Sequence, residues 1–363
     1  MQLTRRLRSW QRKERPRGRA WLLSAMLAAL AILLIADCGG PAPAAEIELR
    51  APQPVILDVD MAHEDMFAAL FLLQHPNVDL KAITVTGTGE AHCGPGVRNA
   101  LGLLHLVGGA DLPVACGRET PMAGDHAFPD AWRAGADRAY GVALPEGGEP
   151  SPLSAPQLIA ERVTKSGDRV TIVAVGPLTN IAEALQARPE IVDQIEAIYV
   201  MGGAVEVEGN VGNSGAGIDN PYAEWNIYAD PAAANIVFES GLPVTLVPLD
   251  ATRDVPVTRR FYNSLGRQAN SPAADFVHEM LGANLDSVDS GGFHFWDSLT
   301  AALFTDESLA EFEEIELHVV EEEGPESGYT KPTGGGAVVR VAVSADRKRF
   351  EQLLVTVLNG QTQ

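Results

Sequence analysis

Four acids crowd one stretch of eight residues, Asp58-Val59-Asp60-Met61-Ala62-His63-Glu64-Asp65. The stretch joins an apolar run, Pro54-Val55-Ile56-Leu57, to a segment in which Met66, Ala69, Leu70 and Leu73 recur at helical spacing. The cluster therefore falls on a strand-to-helix turn. Like charges this close repel one another unless a cation or shared protons relieve them. A hard divalent metal with oxygen ligands is the simplest relief. The carboxyl end of a strand in an open α/β sheet is also where ligands bind.

Further segments carry polar or glycine residues that packing alone rarely requires. Val173-Ala174-Val175-Gly176-Pro177-Leu178-Thr179-Asn180 ends an apolar run in a Gly-Pro turn that exposes backbone carbonyls. Met201-Gly202-Gly203 ends another with glycines that permit close approach of a ligand. The stretch from Gly209 to Tyr222 is too rich in Gly and Asn for a core element, and it leads into Ala223-Glu224-Trp225-Asn226-Ile227. Late in the chain, Phe293-His294-Phe295-Trp296-Asp297 sets an acid immediately before an expected helix, 298–304. Asp58 is expected to cap its turn through backbone N–H groups.

These residues need a scaffold that gathers them. Strand-like runs alternate with helical patterns: strands over 55–59, 80–85, 113–116, 170–175, 197–201 and 244–247, helices over 65–74, 97–107, 155–164 and 178–187. Asp230-Pro231 opens another helix, with Asp as N-cap and Pro at the first helical position. Helices are expected within 261–286, strands over 315–320 and 338–343, and a closing helix over 347–358. Residues 119–152 read as a long surface excursion. The repeated strand–helix unit predicts one α/β domain over 51–363, an open, largely parallel, doubly wound sheet (Rossmann-like) with extra C-terminal helices.

Charge narrows the class of function. The first nineteen residues carry +7; taken from the chain total of −21, this leaves −28 for the rest. Such a body repels phosphate backbones, so a nucleic-acid partner is excluded, while a cation and a neutral small molecule suit it. The basic start, the apolar run from Ala20 to Ala36 and the small residues that follow have the order of an export signal. Three fates stay open: lipidation of Cys38 in Ile35-Ala36-Asp37-Cys38, cleavage at Ala42-Pro43-Ala44 instead, or retention of the segment as an anchor. Residues 1–50 are thus signal or anchor plus a Pro/Ala linker, the only membrane contact expected, and the body is periplasmic or in the cell envelope. In that compartment Cys93 and Cys116 either pair or stay as two buried thiols.

Taken together and in order, Asp58-x-Asp60-x-x-x-Glu64-Asp65, Gly-Pro-Leu-Thr-Asn, Met-Gly-Gly, Gly-Asn-Val, Ala-Glu-Trp-Asn-Ile with Asp-Pro, and the late Trp-Asp resemble the nucleoside hydrolase family. That family includes the inosine–uridine preferring N-ribohydrolases. The matches run from about residue 53 to 358. The resemblance implies Ca²⁺-dependent hydrolysis of the bond between ribose and base in a ribonucleoside. It implies Asp60, Asp65, Asp297 and the backbone carbonyl of Val175 as calcium ligands, with Asp60 also the general base toward a water of that shell. Glu64 and Asn226 would hold the 2′- and 3′-hydroxyls, Asn210 and Glu224 the 5′-hydroxyl, and Trp225 would line the sugar, beside Met201. A homo-oligomer would be similar to family behaviour.

The chain departs from the family pattern in four places. Glu64 stands where aspartate is usual, Met61-Ala62 where Pro-Gly is usual, and Thr88 where asparagine is frequent. Trp296 occupies the position of a histidine that assists the leaving base, which makes His126 and His294 the substitute acids and Trp296 a surface for stacking. Base preference is expected in the loops 90–93, 119–152 and 261–295. Two rivals follow from the same residues. A haloacid-dehalogenase-type phosphatase shares the Asp-x-Asp but needs a later lysine, and an exported nucleoside-binding protein would keep the pocket without turnover.

Overall fold

The acids are placed by an alternation of strand and helix. A computed structural model of the chain describes residues 45–109 and 112–361. Strand β1 (Gln53–Val59) runs into helix α1 (His63–Gln74), followed by β2 (Val78–Val85), α2 (Cys93–Leu106) and β3 (Val114–Cys116). A long connection holds α3 (Asp130–Ala136), and then come α4 (Ala155–Lys165), β4 (Val170–Ala174), α5 (Thr179–Ala187) and β5 (Ile195–Met201). A second excursion carries α6 (Trp225–Ala229) and α7 (Pro231–Phe238) to β6 (Val244–Val247). Helices α8 (Leu249–Thr252), α9 (Arg259–Gln268), α10 (Pro272–Ala283), α11 (Leu285–Ser290) and α12 (Trp296–Thr305) follow. The chain ends with β7 (Ala310–Val319), β8 (Thr330–Pro332), β9 (Ala337–Ala345) and α13 (Arg347–Leu358).

Among the described residues the strands form one sheet in the order β3-β2-β1-β4-β5-β6-β9-β7-β8. Pairings from β3 through β9 are parallel; β7 runs antiparallel to both β9 and β8. The winding reverses between β1 and β4, because β2 and β3 lie to one side and β5 and β6 to the other. Chains leaving these two neighbours turn apart, and a crevice opens at their carboxyl ends. The acidic turn and the Gly-Pro turn both sit there.

Both faces of the sheet are covered, which is why its central strands read as continuous apolar runs. Val55, Leu57 and Val59 of β1 join Met66 and Leu70 of α1, Leu299 of α12 and Phe350 of α13 in one buried layer. Ile56 faces the opposite layer with Leu158, Ile181 and Val237. Each large side chain so buried contributes about 1.5–3 kcal/mol. The two layers, not contacts within the turn, therefore hold the acids in place.

The doubly wound architecture matches the reading of the sequence, as does Asp230, whose carboxylate accepts from Ala233 N at 3.1 Å at the start of α7. Four local readings are corrected. The 119–152 stretch is not merely a surface excursion: it forms α3 and buries Phe128, Arg133, Ala136, Ala139 and Val142. Glycine and proline in it masked an apolar spacing too short to show a period. The strands expected at 315–320 and 338–343 start earlier and pair antiparallel, and β8 and α6 are too short for periodicity to reveal. Asp297 lies inside the first turn of α12, not before it. The Pro/Ala linker ends sooner than expected, since Ala45 N donates to Thr356 Oγ1 at 2.8 Å and Ile47 packs on the core. The export segment and Cys38 lie outside the described residues.

Cys93 and Cys116 are disulfide-bonded, which settles the choice left open by the sequence and ties the start of α2 to the end of β3. The bond closes a loop over a sequence separation of 23. Restricting the unfolded chain by such a loop stabilises the fold by about 3 kcal/mol. Replacing both residues by serine should lower the free energy of unfolding in urea by that amount. An unchanged midpoint would mean that the bond contributes nothing.

Candidate active site

Asp60 is the first residue beyond β1, and it is held through both its backbone and its carboxylate. Its own N–H donates to Asp65 Oδ1 at 2.8 Å, while its Oδ2 accepts from Glu90 N at 2.9 Å. Asp65, at the third position of α1, reaches back so that its Oδ2 also accepts from Ala62 N at 2.9 Å. An acid in the first turn thus satisfies N–H groups of the preceding turn and the N-cap, and gains from the helix dipole. Backbone from two loops presses on Asp60. A Cβ on Gly89 would stand 2.2 Å from Asp60 Cβ, and one on Gly176 would stand 2.9 Å from it. Only glycine fits at either position.

The Gly-Pro turn after β4 delivers the Val175 carbonyl to the same place, where it accepts from Asn226 Nδ2 at 2.9 Å. Asn226 is aimed by Glu224, the N-cap of α6, whose carboxylate accepts from the N–H groups of Asn226, Ile227 and Gly203. Asn210 Oδ1 accepts from Trp225 N at 3.1 Å and fixes the loop beside the indole. From the far end of the chain, α12 brings Asp297 against Asp65, fully buried.

These groups share one cavity of about 570 Å³, a size that suits a small organic ligand. Asp60, Glu64, Asp65, Val175, Met201, Asn210, Glu224, Trp225, Asn226, Trp296 and Asp297 all line it. Three residues marked in the sequence do not. Thr88 is bonded to Thr179 Oγ1 at 2.9 Å beneath α5. His126 donates to the Tyr228 carbonyl at 2.7 Å and stacks on the Tyr228 ring. The backbone of His294 bridges Pro256, its ring lies against Trp296, and burial lowers its pKa. Neither histidine faces the cavity as a substitute acid. Asp58 is not the turn's cap either: it points sideways from β1 and accepts from Thr84 Oγ1 at 2.5 Å and Asn180 Nδ2 at 2.8 Å, bracing β1 against β2 and α5.

The sequence reading missed Glu90, His63, Tyr140, Phe128, Trp132 and Phe293 on the wall. His63 stood in the acidic turn itself, and Glu90 in a loop expected to govern base preference. Tyr140 carried no sequence signal.

Six acids face the cavity, and no Lys or Arg is among its lining residues. The phosphatase reading, which needs a lysine there, finds no support. Burial raises the pKa of Asp60 to about 6 and of Glu224 to about 7. Asp65 and Asp297 are pushed well up by burial and by neighbouring carboxylates. Burial, then repulsion from Glu64, also drives Glu90 up. Among the described residues no three His, Cys, Asp or Glu side chains form a finished metal cage. Their donor set fits a hard cation nonetheless: all are oxygens, the charge is uncompensated, and Asp297 Oδ2 is buried without a partner.

An acid-lined crevice at the switch point of a parallel sheet is the site of an α/β enzyme. A family model described as inosine-uridine preferring nucleoside hydrolase matches residues 55–352. The pyrimidine-specific ribonucleoside hydrolase RihA of Photobacterium profundum is 38% identical over 230 residues, 63% of this chain and 70% of that protein. RihA of Escherichia coli is 35% identical over 318 residues, covering 83% and 96%. The solved purine-preferring ribonucleoside hydrolase of Gardnerella vaginalis aligns with a TM-score of 0.74 and 30% identity, over 85% of this chain and 99% of that one. The chain belongs to the inosine-uridine preferring nucleoside hydrolase family and is a ribonucleoside N-ribohydrolase.

Asp58 offers a pH test apart from the cavity. Burial lifts its pKa from an ordinary 3.8 to about 7. Between those values the folded protein keeps a proton that the unfolded chain has released, so this group's contribution to stability falls as pH rises from about 4 to about 7. Asp58→Asn removes that contribution. The Tm of the variant relative to the parent should climb across the window and level off above it; a constant difference would contradict the assignment.

Proposed function

We propose that this hydrolase uses Ca²⁺ and works outside the cytoplasm. Asp60, Asp65, Asp297 and the Val175 carbonyl would hold the ion, which tolerates a loose shell of roughly six to eight oxygens. Bound there, Ca²⁺ neutralises the carboxylates and acidifies water in its shell. The observation that carries the reading is the meeting of Asp297 with Asp60 and Asp65 in one buried cluster that lacks a positive side chain.

The chain's own residues supply the remaining chemistry. Asp60, clamped by Glu90 N, is placed to take a proton from the attacking water. The carboxylates around it stabilise positive charge that develops on the ribose ring as the glycosidic bond breaks. Glu64 and Asn226 are assigned to the 2′- and 3′-hydroxyls, and Asn210 and Glu224 to the 5′-hydroxyl, with Trp225 along the sugar. Missing hydroxyls would leave these polar groups unpaired, so deoxyribonucleosides are discriminated against. The basic and apolar start of the chain supports export, and the disulfide suits an oxidising compartment.

Release of free base from a ribonucleoside panel, with and without chelator, tests the reading. Chelator should abolish release and added Ca²⁺ restore it. Asp60→Asn should lower kcat by about 10²–10⁴-fold while the protein stays folded by circular dichroism. Chelator-insensitive release, or a full-rate Asp60→Asn variant, would overturn it; tight binding without release would mark a nucleoside-binding protein instead.

A further inference from the structure

The assignments above give every ribose hydroxyl a partner and leave the base with none. The cavity wall nevertheless contains a built polar pair that these assignments leave unused. Glu90 is 9% exposed and lines the cavity, and its backbone N–H on Asp60 fixes it beside the reacting centre. Its Oε1 accepts from the Tyr140 hydroxyl at 2.8 Å, while among the described residues Oε2 has no partner. No Lys or Arg lines the wall, so no cation of the chain competes with a ligand donor for that oxygen.

Tyr140 is held with unusual firmness. Its ring lies flat on His63, with centroids 4.0 Å apart and planes 11° apart, and Phe293 packs against His63 at a tilt, with centroids 4.6 Å apart. Ala139 and Tyr140 are consecutive non-glycine residues with positive φ, 45° and 51°. Such backbone persists only where the surroundings over-determine it, and it gathers at functional sites. Here the surroundings are the stack on His63 and the bond to Glu90.

We propose that Glu90 recognises the departing base by accepting a hydrogen bond from an N–H on its edge, and that Tyr140 is the residue that positions Glu90. This rests on the ribohydrolase reading and deepens it. The common nucleobases of ribonucleosides all present a ring N–H or an amino group, so the contact selects a nucleobase over an aglycone without such a donor. A site built around that bond rejects a ligand that leaves it unmade.

The test compares kcat/KM for uridine with that for p-nitrophenyl β-D-ribofuranoside, which has the ribose but no N–H on its aglycone. Glu90→Gln keeps the Tyr140 bond through its amide oxygen and turns the free corner into a donor. The uridine to nitrophenyl-riboside ratio should fall at least tenfold in Glu90→Gln and severalfold in Tyr140→Phe, which keeps the ring stack and carries the test should Glu90→Gln not fold. An unchanged ratio, whether both substrates are lost in parallel or neither is, would overturn the proposal and return the pair to a ribose or purely structural role. A parent protein that cleaves neither substrate would instead refute the ribohydrolase reading itself.

Discussion

Six carboxyl groups share the wall of one small cavity, and the rest of the molecule is arranged around that repulsion. Moving a carboxylate out of water costs several kcal/mol unless it is paired or hydrogen-bonded. Here backbone N–H groups, not side-chain cations, provide most of the compensation. Asp65 takes two of them, Asp60 takes one, and Glu224 takes those of Asn226, Ile227 and Gly203. A lysine or arginine would neutralise the cluster permanently. N–H dipoles hold the acids in place while leaving net negative charge for a bound cation.

Such a supply of N–H groups exists only where several chain segments end together. A parallel sheet meets that condition at the reversal of winding, where the turns after β1 and β4 diverge and the loop after β2 can fold across them. The glycines at 89 and 176 let that loop and the Gly-Pro turn come within contact distance of Asp60. The long apolar strands behind them make the arrangement rigid. Fold and site are thus two views of one constraint: the acids need convergent backbone, and convergent backbone needs buried parallel strands.

This explains what could be read from the sequence. The strand–helix alternation was legible because both faces of the sheet are covered, so burial wrote itself as apolar runs. The acidic turn, the Gly-Pro turn and Glu224-Trp225-Asn226 were legible because each concentrates unusual residues at the end of a strand or the start of a helix. Glu90 and Tyr140 were not, since each is a single polar residue in a loop and acquires meaning only from its partner 50 positions away. The histidines at 126 and 294 misled for the converse reason. A titratable side chain in a loop near the site resembles a catalytic acid in one dimension, yet His126 is engaged by Tyr228, and the His294 ring lies against Trp296 without lining the cavity.

Backbone strain traces the same boundary from another direction. Among the described residues, the non-glycine residues with positive φ are Met61, Ala139 and Tyr140. Met61 sits between Asp60 and Ala62 in the acidic turn, and Tyr140 lines the cavity wall. Each such conformation costs on the order of 1–3 kcal/mol, and none is placed where the fold alone would need it. A glycine at 61 would relieve the turn but would forfeit the side chain, which is wholly buried in the layer beneath the sheet. Packing below and geometry above thus make opposite demands on one residue, and the chain keeps the strain. The burial that fixes Met61 is what lets the turn present Asp60, Glu64 and Asp65 in a single direction.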